Sequence, residues 1–337
     1  MDYESISIDD MSVVDGTDLR LFRVDVGGSA EGFTFKSSFD LHGDDIKIQD
    51  LFAEFGDDTK IRLGNFKVMN GLEQQSSLYS LVFLEQSSVS KIHGISRAMG
   101  VGVFHKSGPF NLSAGVFGPN VNDADEEDHW SASARVAWTS QPFGDDTTVH
   151  LGASTRYRHT DETDLFSYSH KAFAANAPKT IKTSAVAESD VFIGLEGLLI
   201  RDGFTLQSEY AKSFVSCPSM VCSDDPTTEA FYVDASYMWG GHRNYSGSLF
   251  KRDRVDSPFT GGGRGAFALS ARYDVGDLND AALAGGRQTN MVLGASWYMN
   301  SYVRFTANYV RSDFDDSPVY GDGDADSLLL RAQIELY

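Results

Sequence analysis

The sequence is poor in cysteine and proline and contains no long apolar run. Of its 337 residues, only 2 are cysteine and 8 are proline. A membrane-spanning helix needs about 20 consecutive apolar residues. The most apolar stretch, 191–200, is shorter than that and has Glu196 inside it. The sequence therefore excludes a helical membrane protein.

A signal peptide is also missing from the start of the sequence. Asp2 and Glu4 follow Met1 where a signal peptide would have basic and then apolar residues. For an exported protein, we therefore expect this sequence to be a mature or recombinant form.

The two cysteines, Cys217 and Cys222, stand in one short polar segment. A structural metal site normally takes more ligands than one pair of cysteines. We predict a disulfide within a loop, which implies an oxidising compartment. Two free thiols are the alternative.

The formal net charge of -20 disfavours a nucleic-acid-binding protein. Much of the acid lies in predicted loops, at 123–128, 161–164, 224–225, 313–316 and 322–326. Solvated turns are the simple interpretation of these clusters. The alternative is that the acidic outer loops bind Ca²⁺ beside an anionic cell surface. No other metal or cofactor is predicted.

What the sequence does contain is a period-two alternation of apolar and polar residues. In 32–41, Phe33, Phe35, Phe39 and Leu41 share one parity and the polar residues between them share the other. Successive side chains on a strand point to opposite faces, so such a strand has one apolar and one polar face. The apolar face would form the core of a soluble sandwich or the lipid-facing side of a membrane barrel.

This alternation predicts sixteen strands, an even number as in bacterial outer-membrane barrels. The aromatic content of 12% and the 32 glycines favour strands and tight turns. The predicted strands cover 18–28, 31–41, 45–55, 58–66, 97–106, 109–118, 130–140, 146–160, 189–200, 203–215, 229–240, 242–254, 264–276, 289–299, 301–312 and 327–337.

The connections between these strands alternate between short and long. The long ones are 67–96, 119–129, 161–188, 216–228, 255–263 and 313–326. Short periplasmic turns and long extracellular loops are typical of outer-membrane barrels. We predict an all-β fold, a single sixteen-stranded antiparallel transmembrane β-barrel over 1–337. Segment 67–96 is predicted to fold into the lumen as a constriction loop; an outer lid or a contact with a neighbouring subunit is the alternative.

Parity separates the lipid side of each strand from the pore side. Phe22, Val24 and Val26 face lipid, which places Arg23 and Asp25 in the lumen. An Arg or Lys on the lipid face near the midplane costs about 2 to 4 kcal/mol, so the inward choice is favoured. The predicted pore-lining basic residues are Arg23, Lys36, Lys60, Arg62, Arg135, Arg156, Arg158, Arg272, Arg304 and Arg331, and the acidic ones are Asp25, Asp50 and Glu54.

These luminal cations have two interpretations. Fixed cations in a narrow pore raise the local anion concentration and replace part of the lost hydration. Alternatively, they only pair with carboxylates on neighbouring strands. Asp50 is expected to orient Arg23, Lys60 and Arg62 by salt bridges beside the predicted constriction loop.

Several segments together resemble the phosphate-selective porin O and P family. They are IQDLFAEF at 48–55, IRLGNFK at 61–67, GLE at 71–73 and FLE at 83–85, followed by an Arg-containing strand at 96–103 and the closing strand LRAQI at 330–334. The resemblance implies a trimeric, sixteen-stranded channel in the outer membrane of a Gram-negative bacterium, with a ladder of Arg and Lys for anions.

The sequence departs from the family pattern at three places. Arg20 is followed by Leu21 where the family often has adjacent arginines, and Glu85 is followed by Gln86 where an arginine is expected. Tyr337 is added beyond Leu336, which occupies the usual position of the final aromatic residue.

We therefore predict an outer-membrane porin for passive diffusion of small hydrophilic solutes, favouring anions such as phosphate. A general or cation-preferring porin of the same fold is the alternative, and a soluble all-β binding protein is the alternative of another class. An enzyme is not predicted, because the histidines are scattered and none lies in a nucleophile motif. Membrane lipid, lipopolysaccharide and two further copies of the chain are the expected partners.

Overall fold

The structure is a computed structural model that describes residues 1–43, 45–123, 129–144, 146–161, 164–280 and 283–336. Most of these residues lie in strands, and the helices are short. The helices are α1 (Leu72–Gln75), α2 (Ser88–His93) and two 3₁₀ turns, Leu78–Ser80 and Phe259–Gly261. None of the helices in these ranges is long and apolar enough to cross a membrane.

Seventeen strands form one large antiparallel sheet. They are β1 (Asp2–Ile8), β2 (Met11–Asp18), β3 (Arg23–Ala30), β4 (Phe33–Asp40), β5 (Lys47–Phe55), β6 (Thr59–Lys67), β7 (Arg97–Ser107), β8 (Phe110–Phe117), β9 (Trp130–Ser140), β10 (Thr147–His159), β13 (Ser189–Arg201), β14 (Phe204–Ser216), β15 (Thr227–Trp239), β20 (Ala266–Asp280), β21 (Leu283–Tyr298), β22 (Val303–Ser317) and β23 (Gly321–Ile334). Six shorter strands make small hairpins inside it: β11 (Ser169–Lys171), β12 (Lys179–Lys182), β16 (Gly241–His242), β17 (Tyr245–Ser246), β18 (Leu249–Phe250) and β19 (Arg254–Val255).

The sheet curls so that its first strand along the chain, β1, pairs with its last, β23. Each main strand except β2 pairs with the next along the chain, and β1 pairs with β23 through a register that includes Asp2↔Arg331. β1 also pairs with β2, but no hydrogen-bonded pairing joins β2 to β3 within the described ranges. The predicted closed barrel of sixteen strands is therefore wrong in two respects: the ring of pairings is open at this point, and the strand count is seventeen.

Two strands, β1 and β2, were missed by the prediction. In β1 the inward side chains include Ile6 and Ile8, each 1% exposed, while the outward ones include Ser5 and Ser7. This strand reverses the apolar-out rule, because its apolar side chains pack against a loop in the lumen. The predicted first strand, 18–28, begins at the end of β2 and overlaps most of β3.

One predicted strand, 242–254, is absent from the sheet. The chain between β15 and β20 instead forms small hairpins. Gly240, Gly247 and Gly265 have left-handed backbone angles here, and so does Ser248. Closely spaced turns of this kind prevent a continuous strand. The predicted loop at 313–326 is also shorter than expected, since β22 and β23 leave only 318–320 between them.

The two faces of the sheet differ in character. Large apolar side chains such as Leu195, Leu269 and Leu293 are more than half exposed on the outer face. On the inner face, side chains such as Phe192 and Val310 are buried against segments that enter the interior. An apolar exterior around a polar and partly filled interior is the pattern of a transmembrane barrel.

Candidate functional site

Three segments of the chain occupy the interior of the curled sheet. The first luminal loop is residues 68–96, the second luminal loop is residues 160–161 and 164–188, and the luminal hairpin segment is residues 240–265. The two loops enter from the end of the sheet that carries the long connections. The luminal hairpin segment enters from the opposite end, where the other turns are short.

The first luminal loop is held by strands on several sides of the interior. The backbone N–H of Glu73 donates to Glu209 Oε1 of β14 at 2.7 Å. Arg272 of β20 donates to Glu73 Oε1, also at 2.7 Å, and Arg304 of β22 donates to the carbonyl of Leu81 at 2.8 Å. The loop is therefore fixed across the interior.

The luminal hairpin segment is anchored by its tip. Ser248 is fully buried, and its hydroxyl accepts a hydrogen bond from Asn111 Nδ2 at 2.8 Å and lies 2.9 Å from Thr139 Oγ1. Arg135 donates to the Ser248 carbonyl at 3.2 Å. Phe250 packs beside Leu72 of the first luminal loop, so the segments from the two ends meet inside the sheet.

Six of the predicted pore-lining basic residues serve to hold these segments and the wall together. Each is placed on the inner face with a carboxylate or carbonyl partner. Arg135 pairs with Glu196, Arg156 and Arg158 with Asp190, Arg272 with Asp234 and Glu73, Arg304 with Leu81 and Gln333, and Arg331 with Asp2. Their charges are largely matched by these partners.

Of the four remaining predicted basic residues, Arg23, Lys36 and Arg62 line a water-accessible space, here called the inner cavity. Its volume is about 430 Å³, and seven basic side chains line it against three carboxylates. The charged lining residues are Arg23, Lys36, Arg62, Lys67, Arg97, Lys251 and Arg252, with Asp25, Asp50 and Glu335. The cavity therefore has an excess of positive charge although the chain as a whole is acidic.

Asp50 lies between two of these cations. Its Oδ2 accepts from Lys36 Nζ at 2.8 Å and its Oδ1 from Arg97 Nε at 2.6 Å. Asp25 lies 3.9 Å from the same ammonium group. Asp50 therefore orients Lys36 and Arg97, whereas the predicted pairing with Arg23, Lys60 and Arg62 does not occur.

Arg62 is positioned by one carboxylate and by aromatic rings. Its Nε and Nη2 both donate to Glu54 Oε2, at 3.0 and 2.5 Å. The guanidinium lies 4.1 Å from the ring centroid of Phe52 and 4.4 Å from that of Phe104. Lys60 donates to the other oxygen of Glu54 at 2.8 Å but does not line the inner cavity.

Arg23 lies beside an aromatic ring of the first luminal loop. Its guanidinium lies 5.7 Å from the ring centroid of Tyr79, and its buried Nε has no hydrogen-bond partner in the structure. Burial raises the pKa of Tyr79 to about 12, so its phenol is protonated and can donate. Arg23 and Tyr79 therefore lie side by side in the lining of the inner cavity.

Four cations of the inner cavity were missing from the predicted set. Lys67 and Arg97 lie at the ends of β6 and β7, which flank the first luminal loop. Lys251 and Arg252 belong to the luminal hairpin segment, which was predicted to be a strand. Lys67 ends the motif IRLGNFK, which carries part of the resemblance to the family. That motif was the signal in the sequence that could have added Lys67 to the predicted site.

Two further predictions concerned the cysteines and the acidic segments, which were assigned to outer loops. A disulfide joins Cys217 and Cys222 in the connection between β14 and β15. Within the described ranges, no group of three or more His, Cys, Asp or Glu side chains is arranged to hold a metal ion. Residues 124–128, 162 and 163 of the predicted acidic loops lie outside those ranges.

A curled antiparallel sheet with an apolar exterior and a basic cavity in its interior defines the porin class of outer-membrane proteins. The family model described as phosphate-selective porin O and P matches residues 1–337. The chain belongs to the phosphate-selective porin O and P family, which confirms the resemblance found in the sequence.

The individual proteins that resemble this chain have low sequence identity to it. An uncharacterised protein of Caulobacter vibrioides is 25% identical over 331 residues, which is 92% of this chain; the chain spans 66% of that protein's length. OmpT expressed in the outer membrane of Vibrio cholerae aligns over 99% of this chain and 95% of its own with a TM-score of 0.60 and 12% identity. An anion-selective porin from Comamonas acidovorans aligns over 98% and 96% with a TM-score of 0.59 and 12% identity.

Proposed function

We propose that the protein is a passive diffusion channel for small hydrophilic solutes that favours anions of the phosphate class. The observation that carries this proposal is the inner cavity, where seven basic side chains face three carboxylates. Cations fixed in a confined space attract anions and replace part of their hydration. Arg side chains bind tetrahedral oxyanions through two parallel hydrogen bonds, which favours phosphate over chloride.

The first luminal loop and the luminal hairpin segment are proposed to narrow the channel. Tyr79 and Ser80 of the loop line the inner cavity together with Lys251 and Arg252 of the hairpin segment. A permeating anion must therefore pass between two segments that enter from opposite ends. Selectivity is set at this meeting point, not by the strands alone.

The protein is proposed to reside in the outer membrane of a Gram-negative bacterium as a homotrimer, in contact with lipid and lipopolysaccharide. One similar structure is a trimer form of OmpT from Vibrio cholerae, 13% identical with a TM-score of 0.58. The outer face also carries an apolar groove over β20–β23, where the cross-strand pair Ala295 and Ala307 lies next to the aromatic row of Phe267, Trp297 and Phe305. Small residues beside large ones allow a second copy to pack closely.

Reversal potentials in a planar bilayer test the ion preference. With a gradient of potassium chloride, we expect a potential of the sign produced by chloride permeation, and added phosphate should block the chloride current. A potential of the opposite sign would favour the cation-preferring alternative. That alternative is suggested by the negative charge of the acidic outer loops. Absence of conductance steps from detergent-purified protein would contradict the channel itself.

A further inference from the structure

A second basic space, called here the outer cavity, is lined by none of the residues that line the inner cavity. It has a volume of about 270 Å³. Four basic side chains line it, namely Arg20, Lys91, Lys171 and Lys179, and its one carboxylate is Glu85. It is built by the first and second luminal loops, so it lies toward the end of the sheet that carries the long connections.

Glu85 forms ion pairs with two of the cations in this cavity, Arg20 and Lys91. Its Oε1 accepts from Arg20 Nη2 at 3.0 Å, and its Oε2 lies 3.1 Å from Lys91 Nζ. The side chain of Glu85 is only 5% exposed. Burial opposes ionisation, but Lys91 and Arg20 lower the pKa of Glu85 to about 2. The carboxylate is therefore charged under all ordinary conditions.

The walls of the outer cavity are fixed. The backbone N–H groups of Ala175 and Asn176, in the second luminal loop, donate to Glu4 at 3.1 and 2.9 Å. On the other side, Arg331 donates to the carbonyl of Leu84 at 3.3 Å while pairing with Asp2. Glu85 is therefore held in place by its neighbours in the chain, and an anion that enters meets a formed site.

The charges in the outer cavity are not fully matched. Arg20 and Lys91 share Glu85, whereas Lys171 and Lys179 have no carboxylate partner among the residues that the structure describes. Lys171 instead donates to the carbonyl of Ala175. The cavity thus combines two cations that are paired with a carboxylate and two that, among the described residues, are not, within a space large enough for a hydrated oxyanion.

We propose that the outer cavity is a second binding site for phosphate-class oxyanions, in which the carboxylate of Glu85 is a built-in competitor for Arg20 and Lys91. A carboxylate and a phosphate use the same hydrogen-bonding geometry toward arginine. Glu85 therefore weakens the site, so that an anion is attracted by Lys171 and Lys179 but not retained. This inference rests on the proposed channel function.

The variant Glu85→Gln tests the competition. It keeps the shape of the side chain and removes its charge, so the phosphate concentration that half-blocks chloride current should fall by about tenfold, as expected for losing one competing charge at close range. Glu85→Asp should behave like the wild type. Glu229→Gln is the matched control, because Glu229 pairs with Lys212 on the outer face and its loss changes net charge equally.

Each outcome has a distinct meaning. A half-blocking concentration in Glu85→Gln equal to that of the wild type would overturn the inference and leave the channel function intact. A wild type without anion current would instead overturn the channel function. If Glu85→Gln does not fold, as judged by heat-modifiable gel mobility, Lys179→Gln carries the test: we expect the half-blocking concentration to rise, and an unchanged value would overturn the inference.

Discussion

The ammonium group of Lys67, at the end of β6, donates to the backbone carbonyl of Gln74 in α1 at 2.8 Å. Further bonds to the carbonyls of Gln75 and Ser76 place the lysine at the end of the helical turn, where unpaired carbonyls are available. One cation of the inner cavity therefore also fastens the start of the first luminal loop to the strand that precedes it.

Lys67→Met should loosen this loop. Charge-assisted hydrogen bonds contribute about 1.5 to 3 kcal/mol, so we expect lower thermal stability and a larger, noisier single-channel conductance. Lys212→Met provides the control, since it makes the same substitution on the outer face, where Lys212 pairs with Glu229. Identical conductance in the wild type and Lys67→Met would show that the loop does not depend on Lys67.

Arg62→Gln should reduce anion preference. Removing one charge about 4 Å from a permeating ion alters its energy by about 1 kcal/mol even in water, which is roughly fivefold in the chloride-to-potassium permeability ratio. Lys60→Gln is closely matched, because Lys60 pairs with the same Glu54 but lies outside the inner cavity. Equal reversal potentials for the two variants would remove Arg62 from the selective site.

Two loop histidines should make stability depend on pH. Burial lowers the pKa of His93 and of His170 to about 3, from 6.5. The unfolded chain binds these protons near pH 6.5 and the folded chain does not, so the stabilisation is present above pH 6.5 and is lost as the pH falls toward 3.

Thermal unfolding followed from pH 8 to pH 4 measures this loss, which has an upper limit of about 1.4 kcal/mol per pH unit for each group. The double variant His93→Asn and His170→Asn should have a smaller slope. Asparagine at position 93 can retain a hydrogen bond to Ser213, which lies 2.9 Å from His93 Nδ1. An unaltered slope in the double variant would contradict the assignment.

Gly247→Val should withdraw the tip of the luminal hairpin segment. Gly247 has a φ of 60°, and a side chain in this conformation costs about 1 to 2 kcal/mol. We expect a higher conductance together with a small loss of stability. Gly32→Val introduces the same kind of strain at φ 82° in the short turn between β3 and β4, also with open space around it. Gly32→Val should lose stability without changing conductance.

The sequence predicted the strands best where the outer face is uniformly apolar. Fifteen of the predicted strands have counterparts in the sheet. Parity failed for β1, because Ile6 and Ile8 point inward against another part of the chain. The alternation of apolar and polar residues within a strand cannot predict that a luminal loop will cover Ile6 and Ile8, because that loop is remote from them in the sequence.

The candidate site was predictable only in part for a related reason. Arg23, Lys36 and Arg62 follow from the parity of their strands, and all three line the inner cavity. Lys251 and Arg252 reach the same cavity through turns at Gly240 and Gly247, which interrupt what alternation indicated as a strand. Parity also could not separate cations that face the cavity from those, such as Arg156, that are buried in ion pairs.

The assembly of the inner cavity from both ends of the chain has a kinetic consequence. Arg23 and Glu335 line the same space, and the β1–β23 pairing that brings the chain ends together joins residues more than 300 positions apart. Contacts of such long range form slowly and late in folding. Glu335 therefore reaches the cavity only after the last strand has docked, and until then a partly folded sheet lacks one of the three carboxylates that line the cavity.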